Sequence, residues 1–158
     1  TLRRDLPEFI RKIKEMGYLV KLDTNGSNPE MLRQLLEEKL LDYVAMDIKN
    51  SPEKYAATIG LETFDTAAVA ESLAFLKTGA VDYELRTTAV AEYHTDEDFR
   101  AMAKWIEGAK RYFIQCYTER DSVLCGGLTA PSAEDLKRWC EIVRPFVGEA
   151  AVRGAATE

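Results

Sequence analysis

The chain has 158 residues, of which 46% are hydrophobic and 30% are charged, so it is long enough for one domain with a core. A net charge of −6 and scattered basic residues argue against a nucleic-acid surface, and no apolar run approaches the roughly 20 residues of a membrane span. No signal peptide is visible, so the sequence predicts a cytoplasmic protein.

Helix and strand patterns alternate along the whole chain. In chain order we predict helix 5–17, strand 18–23, helix 27–39, strand 42–49, short helix 51–60, helix 65–79, strand 82–90, helix 95–108, strand 111–118, helix 131–146 and strand 149–154. Apolar runs in the strands are typical of parallel strands that are buried on both faces.

Capping residues mark the starts of four of these helices. Asn28 and Ser51 each precede a proline, which favours the first helical position. Thr95 precedes an acidic first turn, and Ser132 has Asp135 three residues later, close to a capping box.

This order of elements predicts an α/β fold in which a parallel sheet is wound by right-handed crossovers. No Rossmann glycine fingerprint and no P-loop follows any strand. A partial (β/α) barrel of about five strands therefore fits better than an open nucleotide-binding sheet. No linker or repeat is visible, so residues 1–158 are predicted to form one domain.

Polar residues cluster where the predicted strands end. They are Asp23, Thr24 and Asn25 after the first strand, Asp47 and Lys49 after the second, Arg86 in the third, and Gln115 and Thr118 in the fourth. The carboxyl ends of parallel strands share one edge, where ligands bind. The mixture of acids and bases suits a zwitterionic or carboxylate-bearing ligand, and Asp23 with Asp47 could share a cation.

Structural interpretations of the same residues stay open. Asp23 and Asn25 could only form a turn before Gly26, because Asp and Asn favour turns. Asp47 and Lys49 could be an ion pair at a strand end.

Three further sets of residues have simple interpretations. Arg86 could pair with Glu84 or with an acid on a helix. His94, the only histidine, is expected to be a surface residue beside a helix and not a metal ligand. The cysteines, Cys116, Cys125 and Cys140, are expected to be free thiols, with Cys116 in a core strand.

Two motifs about 20 residues apart, "LDTNG" and "AMDIKN", carry a family resemblance. Together with "SPEKYAATIG", "LRTTAV", "FIQCY" and "PSAEDLKRW", they resemble the radical S-adenosylmethionine activating enzymes of glycyl-radical enzymes. The resemblance points to the anaerobic ribonucleoside-triphosphate reductase activating proteins and the pyruvate formate-lyase activating enzymes, and it runs over most of the chain.

The resemblance implies residue roles. Asp23 and Thr24 would lie beside the carboxylate of S-adenosylmethionine and, with Asp47, help to hold a monovalent cation. Lys49 would reach that carboxylate, and Gln115 and Thr118 would border the adenosine. The candidate cofactor-binding residues are thus Asp23, Thr24, Asn25, Asp47, Lys49, Arg86, Gln115 and Thr118.

The sequence departs from the family in two motifs. A CxxxCxxC loop for a [4Fe-4S] cluster and a Gly-Gly-Glu motif are both missing, and no residue of this chain is expected to ligate the cluster. We therefore expect the C-terminal part of such an enzyme, without the first two strands of the barrel and inactive alone. The strand at residues 18–23 would then expose an edge and could mediate self-association.

The resemblance also implies the chemistry and partners of an intact parent, an oxidoreductase. It would use the cluster and S-adenosylmethionine to make a 5′-deoxyadenosyl radical that takes hydrogen from a glycine of a partner enzyme. The partner would be an anaerobic ribonucleotide reductase or a pyruvate formate-lyase, and flavodoxin or ferredoxin would supply electrons. Two alternatives are a radical enzyme for a small molecule, such as a deazapurine synthase, and a non-catalytic half-barrel interaction module.

Overall fold

The computed structural model describes residues 3–119 and 126–154. Its elements are α1 (Leu6–Glu15), β1 (Lys21–Thr24), α2 (Pro29–Glu37), β2 (Tyr43–Asp47), α3 (Tyr55–Thr58), α4 (Ala67–Lys77), β3 (Asp82–Ala89), α5 (Asp96–Trp105), β4 (Arg111–Cys116), α6 (Ala133–Val143), a 3₁₀ turn (Arg144–Phe146) and β5 (Glu149–Arg153). None of the helices among these residues combines the length and apolar character needed to cross a membrane.

The five strands form one sheet in the order β1-β2-β3-β4-β5. In the parallel pairing of β1 with β2, Asp23 lies opposite Ala45. In the parallel pairings around β4, Gln115 lies opposite Thr88 of β3 and Arg153 of β5. The prediction of an α/β fold with about five parallel strands that alternate with helices is confirmed.

Three of the four predicted helix caps are confirmed. The Asn28 Oδ1 accepts from the Met31 amide at 3.1 Å, and the Ser132 Oγ accepts from the Asp135 amide at 3.0 Å. Thr95 forms a complete capping box with Asp98, whose carboxylate accepts from the Thr95 amide at 2.8 Å. These caps need only partners three residues away, which explains why the sequence reveals them.

Two local predictions are wrong. Ser51 does not cap a helix: α3 begins only at Tyr55, and Lys54 precedes it without a side-chain cap. The strand predicted at residue 18 begins at Lys21. The preceding Val20 is bonded through its amide to an Asp42 carboxylate oxygen at 2.6 Å, and Leu19 is 82% exposed. The Val20 amide thus has a side-chain acceptor, while the Val20 carbonyl accepts from the Asp42 and Tyr43 amides.

The chain divides into two compact units. Among the described residues, the first unit comprises 3–47 and 65–84, and the second comprises 48–64, 85–119 and 126–154. In the first unit, α2 packs against α4, and the buried side chains include Leu32, Leu35, Val44, Val69 and Leu76.

The core of the second unit lies where α5 and α6 pack together and α6 contacts β4 and β5. The Phe99 ring stacks on the Trp139 ring at a centroid distance of 4.6 Å. Met102, Tyr112 and Ile114 are fully buried. Burial of these large side chains supplies a major favourable contribution to folding.

Candidate functional site

The first unit contains four of the predicted site residues: Asp23, Thr24, Asn25 and Asp47. Since Asp23 lies opposite Ala45 and alternate residues of a strand share a face, Asp23 and Asp47 project from the same face of the sheet. The Asp23 side chain is 60% exposed, and its Oδ1 lies 3.8 Å from the Lys21 Nζ, a distance typical of a weak surface pair.

The β1 loop, residues 25–28, is shaped by bonds between near neighbours. The Asn25 Oδ1 accepts from the Ser27 amide at 3.1 Å and from the Ser27 hydroxyl at 2.8 Å. The Thr24 Oγ1, which is buried, accepts from the Gly26 amide at 3.1 Å. The structure therefore supports the turn interpretation for Asn25.

Gly26 fixes the path of the β1 loop. Its φ of +71° lies in the left-handed region, and a Cβ there would overlap the Met46 side chain. On α4, the buried Ser72 hydroxyl donates to the Gly26 carbonyl at 2.8 Å. The loop is thus held against β2 and α4 within the first unit.

The second unit contains the other four predicted residues: Lys49, Arg86, Gln115 and Thr118. Lys49 belongs to the β2 loop, residues 48–54. The first residue of this loop, Ile48, is hydrogen-bonded through both its amide and its carbonyl. The Ile48 amide donates to the Arg86 carbonyl at 2.7 Å, and the Ile48 carbonyl accepts from the Thr87 hydroxyl at 2.7 Å. The buried Tyr112 hydroxyl in turn donates to the Thr87 Oγ1 at 2.6 Å.

His94 binds the backbone of Lys49, so the prediction of a surface histidine is wrong. Only 3% of His94 is exposed, and its Nε2 lies 3.0 Å from the Lys49 carbonyl oxygen. A carbonyl only accepts, so the Nε2 carries the hydrogen and the Nδ1 accepts from the Val90 amide at 3.1 Å. Burial lowers the pKa of His94, which favours the neutral ring.

Asn50 makes a second connection between the β2 loop and the β3 loop, residues 90–95. The side chain is fully buried, and its Nδ2 donates to the Tyr93 carbonyl and to the Thr58 hydroxyl, each at 2.9 Å. Its Oδ1 accepts from the Ser51 amide at 2.7 Å. The Ser51 carbonyl accepts from the Lys54 amide at 3.1 Å, so Ser51 begins a turn and the helix starts only at Tyr55.

The polar residues of β3 and β4 lie in one row with a residue of β5. Thr88, Gln115 and Arg153 are register partners and share a face of the sheet. Gln115 is half-buried, whereas Thr88 is exposed. The Arg153 guanidinium lies 3.3 Å from the centroid of the Phe113 ring, in a cation–π contact.

The other predicted residues of the second unit differ in burial. Arg86 is half-buried, and Thr118 is exposed just beyond the end of β4. The cofactor-binding roles given to all eight residues stay predictions.

Sequence reasoning missed three polar residues of the second unit: Asn50, His94 and Arg153. Two of them stand out in the sequence, because Asn50 directly follows the "DIK" motif and His94 is the only histidine. Their burial depends on contacts 43 to 45 residues away, which a local pattern does not reveal.

A cluster with three thiolate ligands does not fit the residues that the structure describes. Among them, no three His, Cys, Asp or Glu side chains lie close enough to hold a metal ion. Cys116 is half-buried at the end of β4, and Cys140 is buried on α6, where burial raises the pKa of its thiol. Cys125 lies outside the described residues.

The chain is similar in sequence to one known protein and in structure to several, of which two are described below. A Methanocaldococcus jannaschii protein provisionally named a glycyl-radical enzyme activating enzyme is 30% identical over 159 residues, which cover 97% of this chain and 66% of that protein. The chain therefore spans just under two thirds of the length of this relative. No protein-family model matches.

The structural relatives are a domain of a pyruvate-formate lyase-activating enzyme from Bacteroides vulgatus and a radical SAM methyltransferase from Sphaerobacter thermophilus. The first has a TM-score of 0.74 at 13% identity and covers 94% of this chain and 89% of its own. The second has a TM-score of 0.72 at 13% identity and covers 90% of this chain and 43% of its own.

The structural similarity shows the class of fold, which is a partial (β/α) barrel of the kind found in radical S-adenosylmethionine proteins. Sequence similarity then narrows the comparison, because the chain is similar over 97% of its length to a protein provisionally named a glycyl-radical enzyme activating enzyme.

Proposed function

We propose that this chain binds S-adenosylmethionine as part of an enzyme that activates a glycyl-radical enzyme. The observation that carries the proposal is the similarity to the M. jannaschii protein over 97% of the chain. The parallel pairing of β1 with β2 supports it, because it places Asp23 and Asp47 on one face. Carboxylates presented in this way suit a cation or an ammonium group.

The proposed residue roles are those that the family resemblance implies, and the chemistry of each side chain suits its role. The Lys49 ammonium pairs with the cofactor carboxylate, since a charge-assisted bond is about twice as strong as a neutral one. Asp23 and Asp47, helped by Thr24, hold a monovalent cation beside that carboxylate. On the second unit, Gln115 and Thr118 border the adenosine.

Two further residues, the cluster and the partner proteins complete the proposal. Asn25 shapes the turn beside Thr24, and Arg86 contributes positive charge in the second unit. When bound, the family's [4Fe-4S] cluster supplies the electron that cleaves S-adenosylmethionine. The proposed partner is a glycyl-radical enzyme of the anaerobic ribonucleotide reductase or pyruvate formate-lyase type, with flavodoxin or ferredoxin as reductant.

The central test is the substitution Lys49→Ala, measured as the affinity of the full-length protein for S-adenosylmethionine by equilibrium dialysis. Loss of a charge-assisted bond should weaken binding about 10- to 100-fold. The matched control Lys104→Ala removes an exposed lysine of α5 and should leave the affinity unchanged. Equal affinities for the wild type and Lys49→Ala would exclude the assigned role.

A separate experiment tests the partner class. The cluster-loaded enzyme, reductant and S-adenosylmethionine should generate a glycyl radical on a candidate partner, which electron paramagnetic resonance detects. A small-molecule product formed without any such partner would favour the deazapurine-synthase alternative.

We further propose that the edge of β1 pairs with a second copy of the chain. β1 is the terminal strand of the sheet, and the residues before it include Tyr18, 64% exposed, and Leu19, 82% exposed. Met16 is 65% exposed at the end of α1. Unpaired edges with apolar neighbours favour association between chains.

Sedimentation equilibrium tests the pairing. The wild type should dimerise with increasing concentration, and Leu19→Lys should shift it toward the monomer. Leu61→Lys, at a position 50% exposed and outside the β1 region, is the control. A wild type that stays monomeric at high concentration would contradict the proposal.

A further inference from the structure

The backbone around Lys49 is bonded to buried partners on both sides. Ile48, which precedes it, is bonded through its amide and its carbonyl to the backbone of Arg86 and the side chain of Thr87. Asn50, which follows it, is fully buried and makes three side-chain hydrogen bonds. The side chain of Lys49 itself is only half-buried. The backbone on both sides of Lys49 is therefore fixed.

His94 supplies the bond to Lys49 itself. Its Nε2–H donates to the Lys49 carbonyl at 3.0 Å, and its Nδ1 is occupied by the Val90 amide at 3.1 Å. The ring lies 5.7 Å from the Phe99 ring and 6.5 Å from the Trp139 ring, measured between centroids. These contacts with α5 and α6 leave the ring little freedom to turn, so its donor points at one carbonyl.

The two side chains join the same pair of loops in opposite directions. His94 lies on the β3 loop and bonds the backbone of the β2 loop, whereas Asn50 lies on the β2 loop and bonds the backbone of the β3 loop at Tyr93. Buried amide and imidazole groups are costly unless they are bonded, and here both are. Neither side chain is needed by any cofactor role assigned above.

We propose that His94 and Asn50 are positioning residues that fix the backbone of Lys49 in its ligand-binding geometry. The inference rests on the proposed role of Lys49. Fixing the backbone of one residue before binding removes an entropy cost worth about 5- to 30-fold in affinity. Affinity for a carboxylate-bearing ligand thus depends on the β3 loop through its bonds to the backbone on either side of Lys49.

The test is a double-mutant cycle between His94 and Lys49, with S-adenosylmethionine as the probe and the full-length protein in every arm. His94→Phe keeps a planar ring but removes both nitrogens. It should weaken binding about 5- to 30-fold when Lys49 is present. In the Lys49→Ala background the same substitution should have almost no further effect, because the group that it positions is gone.

Two more variants separate positioning from stability. His94→Gln offers an amide N–H to the Lys49 carbonyl and should recover part of the affinity. Ser132→Ala removes the α6 cap, which bonds Asp135 of the same helix, and it should lower stability but not affinity. Hydrogen exchange supplies a second readout: the Ser51 amide should exchange faster in Asn50→Ala and in His94→Phe.

The outcomes distinguish this inference from the proposed function. If Lys49→Ala does not weaken binding, the proposed function fails. If Lys49→Ala weakens binding and His94→Phe weakens it equally in both backgrounds, the cofactor role stands and the positioning inference is overturned. If His94→Phe does not fold, the same cycle with His94→Gln decides the question.

Discussion

The β1 loop and the β2 loop follow neighbouring strands, yet they are held in different ways. In the β1 loop, Asn25 bonds a residue two positions away. In the β2 loop, Asn50 bonds a residue 43 positions away, and Lys49 is bonded to a residue 45 positions away. The β1 loop is organised mainly by its own turn, a glycine and one bond from Ser72 of α4. In contrast, buried side chains of the β2 loop and the β3 loop bond each other's backbone.

This difference indicates in which loop a substitution should lower the free energy of unfolding more. An exposed turn residue can exchange its bonds for water, but a buried polar residue leaves its partners unsatisfied. Asn25 and Asn50 are chemically identical, and they differ in burial and in the range of their bonds. They therefore form a natural pair for testing the comparison.

The largest expected effect is that of Asn50→Ala. The substitution leaves the Tyr93 carbonyl and the Ser51 amide without their side-chain partner in a buried site. The free energy of unfolding should fall by about 3 kcal/mol, whereas Asn25→Ala should cost less than about 1 kcal/mol. Urea denaturation measures both, and equal losses would mean that the two loops are equally well anchored.

The next effect concerns Gly26, where the β1 loop depends on packing as well as on turn geometry. Gly26→Ala places a Cβ against Met46 at a φ of +71°, whereas Gly79→Ala imposes the same kind of strain at +78° with no atom within 4 Å. We expect losses of about 2 kcal/mol and about 1 kcal/mol in the free energy of unfolding. Thermal and urea unfolding of both variants check this, and identical losses would show that Met46 moves aside freely.

A smaller, pH-dependent effect belongs to His94. Burial lowers its pKa in the native state, so below about pH 6.5 the unfolded chain binds a proton that the native chain does not. The free energy of unfolding should therefore decrease as the pH is lowered below about 6.5, by at most about 1.4 kcal/mol per pH unit from this group. The charges that influence the ring most are Asp98, which favours protonation, and Lys54, which opposes it.

The measurement compares the wild type with His94→Phe between pH 7.5 and 5.5, where most carboxylates stay ionised. Because the chain has only one histidine, the difference between the two slopes reports this ring. Parallel curves would indicate that His94 titrates normally in the folded protein.

The contrast between the local bonds of the β1 loop and the long-range bonds of the β2 loop also explains which features could be predicted from the sequence. Five parallel strands, the Asn28, Thr95 and Ser132 caps and the turn at Asn25 follow from signals within a few residues, and the structure agrees with them. The burial of His94 and Asn50 does not follow from such signals, because it depends on how two distant loops meet. The prediction of a helix cap at Ser51 fails for the same reason, since the Ser51 amide donates to the side chain of the buried Asn50.

The smallest effect on stability, and the sharpest separation of stability from function, is expected for Asp23→Asn. The Asp23 carboxylate is 60% exposed and lies 3.8 Å from Lys21, so its loss should change the free energy of unfolding by less than about 0.5 kcal/mol. If Asp23 holds a cation beside the cofactor carboxylate, affinity for S-adenosylmethionine should nevertheless fall about tenfold. The fall should depend on the monovalent cation in the buffer, which isothermal titration with and without potassium measures. An unchanged affinity in both buffers would leave Asp23 as a surface residue, and the β1 loop would then serve the fold alone.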